Sequence, residues 1–414
     1  MANGKGQKKS LSEKFKNMGP AAIVTSAFIG PGTITTTTIA GINFRYELLW
    51  AILFSGISLA VLMEMAGRIG IISDHDIVEA TVASLPKSRA IELFIKGLVI
   101  ITLFAVAFGF EAGNLIGGSL GLSDLLSIPQ WVSALILGGA ALYAVAIGTA
   151  KTLEKLMSLF VGLMGIVFVL TMVLVGPNYL DVLKGLVIPK VPAGSTVNVV
   201  ALIGTTLIGI NLLMHAVTSA EKWHGPDHLD DAKFDINFNV GIGTLITVAI
   251  VVTSATVLFG TGTEVTSPII FSQMLEPVLG DFARYIGDIG IAAAGLSSAI
   301  ATPLAVKIVL SRMFHWEAND KRGSIAAAVA VLFGTAFAMF GTSPTQIIVF
   351  ASANSGLFLP IVAILIMIAA NNKELMGEYK NNLLQNILGG LATLITLGLG
   401  VNSLLNFFEN LSNL

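Results

Sequence analysis

Apolar residues recur along this chain in long stretches that are separated by short polar segments. Each stretch is long enough to cross a bilayer as a helix, which takes about 20 residues. Eleven such stretches are found, at residues 19–41, 47–70, 91–119, 129–149, 153–176, 197–220, 235–261, 283–311, 323–341, 344–371 and 385–408. The pattern therefore predicts an all-α integral membrane protein with 11 transmembrane helices.

The first stretch is interrupted at its middle by the segment Gly30-Pro31-Gly32-Thr33. Pro31 has no backbone N–H to donate and its ring clashes with the preceding turn of a helix, while glycine is a poor helix former. Irregular backbone at membrane depth is tolerated only where it is buried in protein or lines a cavity. The segment predicts a helix broken at the bilayer midplane, where transporters bind their substrates.

The sixth stretch also carries glycines and polar residues at its middle. They are Gly204, Thr205, Thr206, Gly209 and Asn211. Successive transmembrane helices cross the membrane in alternating directions, and the sixth stretch comes five helices after the first. The second set of five helices therefore runs inverted relative to the first. Two broken helices at matching places in inverted halves indicate a transporter's binding site. The alternative is that these glycines only allow neighbouring helices to pack closely.

The distribution of Lys and Arg predicts the orientation, because segments on the cytoplasmic side are enriched in both. With the N-terminus inside, 19 of them lie on inner segments and 4 on outer segments, the latter being Arg45, Lys184, Lys190 and Arg284. The chain then divides into four parts. They are a cytoplasmic tail (1–17), a first five-helix repeat (18–176), a second, inverted repeat (177–371), and the eleventh helix with an external C-terminus (372–414).

Composition supports the membrane assignment and excludes several functions. The chain is 54% hydrophobic and 12% charged, against about 25% charged residues in a soluble domain. A net charge of −2 without a basic patch gives no sign of nucleic-acid binding, and the absence of cysteine excludes disulfides and thiolate metal sites. No phosphate-binding loop or zinc-protease helix is present, so neither an enzyme nor an ATP-driven pump is indicated and no cofactor is expected.

Only neutral oxygen atoms are available between the two predicted breaks. They are the carbonyls of Phe28, Ile29, Thr205 and Thr206, the hydroxyl of Thr33 and the amide of Asn211. The C-terminal end of a half-helix is electronegative and attracts cations. Oxygen ligands suit Mg²⁺, Ca²⁺ or an alkali ion and do not select transition metals.

Three further polar residues lie within apolar stretches. Glu111 and Asn114 share a face of the third stretch, where a carboxylate is costly and marks function or a buried structural contact. His215 follows Asn211 by four residues and is either structural or part of an ion exit path.

These residues resemble the NRAMP (natural resistance-associated macrophage protein) family of divalent-metal transporters. The family motif Asp-Pro-Gly-Asn corresponds to residues 30–33, and its Gly-Ala-Thr-Val-Met-Pro-His-Asn corresponds to residues 204–211. Its Asp-x-x-Glu-x-x-Gly is echoed in residues 111–117, and its Ala-Gly-Gln-Ser in residues 294–297. The resemblance implies a LeuT-like fold of two inverted five-helix repeats, alternating access, and a monomer in a prokaryotic inner membrane whose partners are the ion and the lipid bilayer.

The departures from the family pattern concern the ion itself. The family's metal-binding Asp, Asn and Met correspond to Gly30, Thr33 and Ile208. In this respect the chain resembles the NRAMP-related Mg²⁺ transporters, which implies a largely hydrated Mg²⁺, with Mn²⁺ also accepted and no proton coupling. The implied metal-site residues are Gly30, Thr33, Thr205, Ile208, Gly209 and Asn211, with Glu111, Asn114 and His215 in a second shell or proton path.

Three alternatives stay open on the sequence. The first is a proton-coupled Mn²⁺ or Fe²⁺ transporter that uses Glu111 and His215 in place of the lost ligands. The second is a sodium-coupled symporter of a small solute on the same fold, and the third is a non-transporting sensor.

Overall fold

A computed structural model describes residues 11–147, 150–265, 270–317, 320–340 and 344–412, and every regular element in these ranges is helical. Residues 1–10 of the predicted tail lie outside the described ranges. The helices of the first half are α1 (Leu11–Lys16), α2 (Pro20–Phe28), α3 (Pro31–Phe44), α4 (Leu49–Ser73), α5 (Ile77–Ala83), α6 (Arg89–Leu126), α7 (Gln130–Ile147), α8 (Ala150–Leu174) and α9 (Tyr179–Val187).

The second half follows the same order of long helices. Its elements are α10 (Thr196–Thr206), α11 (Gly209–Lys222), α12 (Leu229–Val257), α13 (Ile270–Leu279), α14 (Phe282–Met313), α15 (Lys321–Phe340), α16 (Pro344–Ala370), α17 (Lys373–Met376) and α18 (Leu383–Ser412). Each predicted apolar stretch falls on one of these long helices or on a pair of half-helices.

Among the described residues, eight helical segments are long and apolar enough to cross a membrane, and α10 with α11 counts as one of them. The other three predicted stretches correspond to α2 with α3, to α8 and to α18. Their described apolar parts are shorter, for example Gly165–Leu174 in α8 and Leu383–Gly398 in α18. The count of 11 crossings therefore stays a prediction.

The long helices pack as two groups. The broken-helix group consists of α2, α3, α4, α10, α11 and α12, with α4 and α12 packed along the half-helices. The α6 group consists of α6, α7, α14 and α15, and its most extensive contact is between α6 and α14. Helix α16 contacts both groups and α18. The two breaks therefore lie where the broken-helix group faces the α6 group and α16.

A buried carboxylate from α12 caps the start of α2. The Asp235 carboxylate accepts hydrogen bonds from the backbone N–H groups of Gly19 at 3.0 Å and Ala21 at 2.9 Å. The first N–H groups of a helix have no partner within it, and that end of the helix attracts negative charge. This contact fixes the first half-helix to α12 at the end opposite to the break.

A second buried charge anchors α4. Arg68 is 5% exposed and pairs with Glu64, one turn earlier on the same helix, at 3.1 Å. It also donates to the Asn381 side chain at 2.7 Å and to the Tyr379 carbonyl, in the segment before α18. Glu64, one helical turn away, neutralises the charge of the buried guanidinium. The two other hydrogen bonds of Arg68 hold α4 against the segment after α17.

Candidate metal-ion site

The first break lies at Ile29 and Gly30, between α2 and α3. Helix α2 ends at Phe28, Gly30 is extended (φ −110°, ψ −175°), and α3 begins at Pro31. Proline suits the first position of a helix because the N–H it lacks would have no partner there. Pro31 also packs directly on Gly117 of α6. The predicted break is confirmed, and the proline starts the second half-helix.

The second break lies at Leu207 and Ile208, between α10 and α11. Ile208 is extended (φ −94°, ψ 110°) and Gly209 is the first residue of α11. The Thr206 carbonyl accepts a hydrogen bond from the Ile208 N–H at 3.2 Å. Gly204, by contrast, lies inside α10, where an added Cβ would collide with the backbone carbonyl of Ser352 in α16. The break is confirmed, but this glycine serves close packing.

The two breaks meet at a pair of threonine hydroxyls. Thr33 Oγ1 lies 2.8 Å from Thr205 Oγ1. Thr33 also donates a hydrogen bond to the Phe28 carbonyl, at the C-terminal end of α2. Because a hydroxyl has one hydrogen, Thr205 must be the donor to Thr33. The hydrogens of both hydroxyls are thus used within the protein, and oxygen lone pairs remain as acceptors.

Two side chains of the α6 group lie beside Gly30. An ideal Cβ at Gly30 would be 2.6 Å from Ser298 Oγ of α14 and 3.1 Å from Asn114 Oδ1 of α6. Ser298 and Asn114 are 0% and 2% exposed. The space that a larger residue at position 30 would occupy is therefore bordered by a hydroxyl and an amide.

A third hydroxyl reaches the first break from α16. An ideal Cβ at Gly32 would lie 3.2 Å from Ser352 Oγ and 3.6 Å from Thr205 Oγ1. Ser352 is fully buried and donates to the Ile348 carbonyl at 3.0 Å. Its hydrogen, too, points away from the break.

The remaining predicted residues of the site are buried but contact other elements. Gly209 packs on Val362 of α16, and Ile208 is 3% exposed. Asn211 is 2% exposed, and its Nδ2 has no hydrogen-bond partner among the described residues. Glu111 is fully buried against Gly334 of α15, one turn before Asn114. Its two carboxylate oxygens have no hydrogen-bond partner in the described part of the chain.

His215 lies one turn after Asn211 on α11, against α4. Its Nε2 is 3.4 Å from Ser219 Oγ, and an ideal Cβ at Gly67 would be 3.1 Å from the same nitrogen. The close approach of α4 and α11 at Gly67 accounts for the position of the His215 side chain. His215 therefore lies where α4 and α11 pack together.

The chemistry of the site is neutral and rich in acceptors. Thr33 and Thr205 are both fully buried, so the hydroxyl pair has no contact with solvent. No group of three or more His, Cys, Asp or Glu side chains is placed to hold a metal ion within the described ranges. Two half-helix C-terminal ends, those of α2 and α10, supply partial negative charge. The arrangement suits a cation held by neutral oxygen atoms.

Sequence reasoning missed Ser298 and Ser352. It also missed Thr302, whose hydroxyl accepts a hydrogen bond from Asn114 Nδ2 at 3.4 Å. A serine or threonine inside a long apolar helix usually bonds to the preceding turn, as Ser352 does. The available signal was the family-like segment Ala294–Ser297, which ends one residue before Ser298.

Comparisons with known proteins agree with this architecture. The sequence profile described as natural resistance-associated macrophage protein-like (Nramp) matches residues 21–406. The divalent metal cation transporter MntH of Yersinia pestis (strain Pestoides F) is 24% identical over 400 residues, which cover 95% of this chain and 95% of that protein.

Two solved structures share the fold. A variant of the Eremococcus coleocola manganese transporter has a TM-score of 0.79 at 19% identity, covering 97% of this chain and 90% of that one. MhsT in complex with L-phenylalanine has a TM-score of 0.65 at 16% identity, covering 97% and 99%. The predicted LeuT-like, all-helical fold is thereby confirmed.

Proposed function

This chain belongs to the Nramp family, and from that premise we propose that it is a membrane transporter of divalent metal ions whose preferred ion is Mg²⁺. Mn²⁺ is accepted as a second ion. The ion binds between the two breaks, near Thr33 and Thr205, and keeps most of its water. The metal is the transported substrate, and no cofactor takes part.

The observation that supports Mg²⁺ is the set of side chains at the first break. Gly30 has no side chain, and its neighbours Ser298, Asn114 and Thr33 are neutral. Ile208 at the second break has an alkyl side chain in place of a soft sulfur ligand. Nitrogen and sulfur ligands select transition metals, whereas Mg²⁺ prefers oxygen ligands and gives up its bound water reluctantly.

The direction of the hydroxyl hydrogens supports a hydrated ion. Water molecules bound to Mg²⁺ point their hydrogens outward, so a matching wall must accept hydrogen bonds. Thr33, Thr205 and Ser352 each have their hydrogen directed to another protein oxygen. Their remaining lone pairs are free to accept from the water shell.

We also propose that transport is not coupled to protons, and the same site supports this part of the proposal. Glu111 is the one carboxylate that the family-like segment retains, and it packs against Gly334 of α15. A proton-coupled cycle needs a titrating group that responds to the ion. The predicted orientation, with an internal N-terminus, and the repeat boundaries at 18–176 and 177–371 complete the proposal.

Ion flux into liposomes tests the proposal directly. The purified protein is reconstituted, and Mg²⁺ and Mn²⁺ influx are followed with ion-sensitive dyes while a second dye reports internal pH. We expect Mg²⁺ uptake at millimolar concentration without acidification. Mn²⁺ uptake that acidifies the lumen, together with no Mg²⁺ uptake, would contradict the proposal and favour the proton-coupled Mn²⁺ or Fe²⁺ alternative.

A matched pair of variants links the flux to the site. Thr33→Val preserves shape and removes the hydroxyl shared by the two breaks. Thr218→Val, on α11, removes a hydroxyl that bonds only to its own helix, at 3.1 Å to the Met214 carbonyl. Loss of one or two hydrogen bonds to the ion's shell should raise the KM for Mg²⁺ by about fivefold in the first variant. The second variant should match the wild type.

A further inference from the structure

Helices α6 and α14 cross with their backbones in contact. An ideal Cβ at Gly295 would lie 2.8 Å from both the Gly118 nitrogen and the Asn114 carbonyl oxygen. Small residues permit so close an approach between membrane helices. Asn114 lies one turn before Gly118 and Ser298 lies one turn after Gly295, so the crossing brings both side chains to the same level beside Gly30.

The Ser298 hydroxyl and one N–H of the Asn114 amide donate hydrogen bonds to other groups. Ser298 Oγ donates to the carbonyls of Ala27 at 3.1 Å and Ser26 at 3.3 Å, in the last turn of α2. Asn114 Nδ2 donates to Thr302 Oγ1 at 3.4 Å. The amide oxygen of Asn114 and the lone pairs of Ser298 are left as acceptors, and both oxygens approach the position where a side chain at Gly30 would begin.

The two oxygens therefore form an acceptor pair, Asn114 and Ser298, that belongs to the α6 group rather than to either broken helix. It faces Gly30, which has no side chain. An ion with its water shell is larger than a bare ion, and its outward hydrogens match acceptors on both the broken helices and the α6 group.

We propose that the acceptor pair is a water-binding subsite that selects Mg²⁺ by accepting hydrogen bonds from water molecules on the ion. This inference rests on the proposed Mg²⁺ transport. The pair makes no direct bond to the metal. It favours binding of the hydrated ion over binding of ions that exchange water for protein ligands more readily.

The test uses reconstituted full-length protein with Mg²⁺ and Mn²⁺ as the probes. Ser298→Ala and Asn114→Leu remove the two acceptors. Ser297→Ala and Asn354→Leu are matched controls, since Ser297 is a buried hydroxyl on the same helix and Asn354 is an amide that donates to the Ala105 carbonyl at 3.3 Å. KM for Mg²⁺ should rise about tenfold in each acceptor variant. KM for Mn²⁺ should change less, and the controls should match the wild type.

The ratio of the two KM values separates selection from damage to the fold, because a misfolded variant loses both fluxes together. Asn114→Asp gives an independent measurement without loss of volume. A carboxylate at this position can replace a water on the metal, so we expect the preference to move toward Mn²⁺, which loses water more easily.

The outcomes distinguish the two proposals. If the wild type carries no Mg²⁺, the proposed function fails and the subsite fails with it. If the wild type carries Mg²⁺ while Ser298→Ala and Asn114→Leu keep the wild-type ratio of KM values, the subsite alone is refuted. An unchanged ion preference in Asn114→Asp would also count against it.

Discussion

The two ends of α2 differ in the charge of the groups that surround them. At the first end, the Asp235 carboxylate accepts hydrogen bonds from Gly19 and Ala21. At the other end, the Phe28 carbonyl and Ser298 present neutral oxygen atoms. A buried carboxylate is thus used where backbone N–H groups need a partner, whereas Ser298 and Asn114, which lie nearest to Gly30 at the break where we propose that a cation binds, are neutral.

The helix dipole explains why the two ends can be treated so differently. The N-terminal end is positive and leaves N–H groups unpaired, so a carboxylate there is stabilised by several donors. The C-terminal end is already negative, and neutral acceptors add to it. A carboxylate at that end would compete with water for the ion, which suits a transition metal better than hydrated Mg²⁺.

The largest effect is expected from breaking the charged end. Asp235→Ala leaves the N–H groups of Gly19 and Ala21 buried without their acceptor, and each such loss costs roughly 1.5–3 kcal/mol when the acceptor is charged. The melting temperature in detergent should fall sharply and transport should be lost. Asp230→Ala, at an exposed position of the same helix, is the control. Equal melting temperatures for the two variants would refute this role of Asp235.

The next effect comes from adding charge to the neutral end. Gly30→Asp places a carboxylate next to Asn114, and its Cβ must displace Ser298 Oγ, which is 2.6 Å away. We expect Mg²⁺ uptake to fall about tenfold and the apparent affinity for Mn²⁺ to rise. Gly30→Ala separates the steric effect from the charge. Mg²⁺ uptake that is unchanged in the Asp variant would show that the neutral end does not set ion preference.

A smaller effect is expected at α5, outside the membrane-spanning helices, where a carboxylate also caps a helix. Asp76 accepts from the Glu79 N–H at 2.8 Å, and Glu79 accepts from the Asp76 N–H at 3.1 Å. Burial raises the pKa of Asp76 to about 6, assisted by the charge of Glu79 and opposed by the hydrogen bond from the Glu79 N–H and by Arg312.

The folded protein holds the proton of Asp76 more tightly than the unfolded chain does. The protonated side chain therefore contributes fully to the free energy of unfolding below the ordinary aspartate pKa. This contribution is lost as the pH rises through about 6. Melting temperatures measured from pH 4 to pH 7.5 should therefore show a decline through this range. Asp76→Asn keeps a capping side chain and should remove this decline in melting temperature. If the variant keeps the wild-type pH profile, Asp76 is not the cause.

The smallest effect is expected from neutralising Glu111. Its described contacts are with Gly334 of α15, so Glu111→Gln should leave the KM for Mg²⁺ within about twofold of the wild type. Liposome flux with a pH-sensitive dye measures both ion and proton movement. A wild type that acidifies the lumen and a Glu111→Gln variant that does not would make Glu111 a proton carrier, against the proposal.

The backbone of the site was more predictable than its walls. Pro31 between two glycines cannot continue a helix, so the first break followed from local chemistry alone. At the second break the same clue was ambiguous, because Gly204 allows α16 to approach while the chain unwinds at Leu207 and Ile208. A glycine serves either purpose, and only tertiary packing separates them.

The acceptor pair lay beyond sequence reasoning for a related reason. Asn114 and Ser298 are 184 positions apart, and their proximity depends on the contact of Gly118 with Gly295. Nothing local to either residue records that crossing. The short helices α5, α9 and α13 were likewise not predicted, because they lie between the apolar stretches and carry no membrane-length pattern.

The chain of hydrogen bonds from Thr205 through Thr33 to the Phe28 carbonyl has a consequence for proton hopping. A hopping chain needs each member to accept a proton on one side and release one on the other. An amide carbonyl accepts but has no proton to release, so a chain that ends at Phe28 is a dead end. An excess proton therefore cannot hop along this row of hydroxyls, which is consistent with our proposal that transport is not coupled to protons.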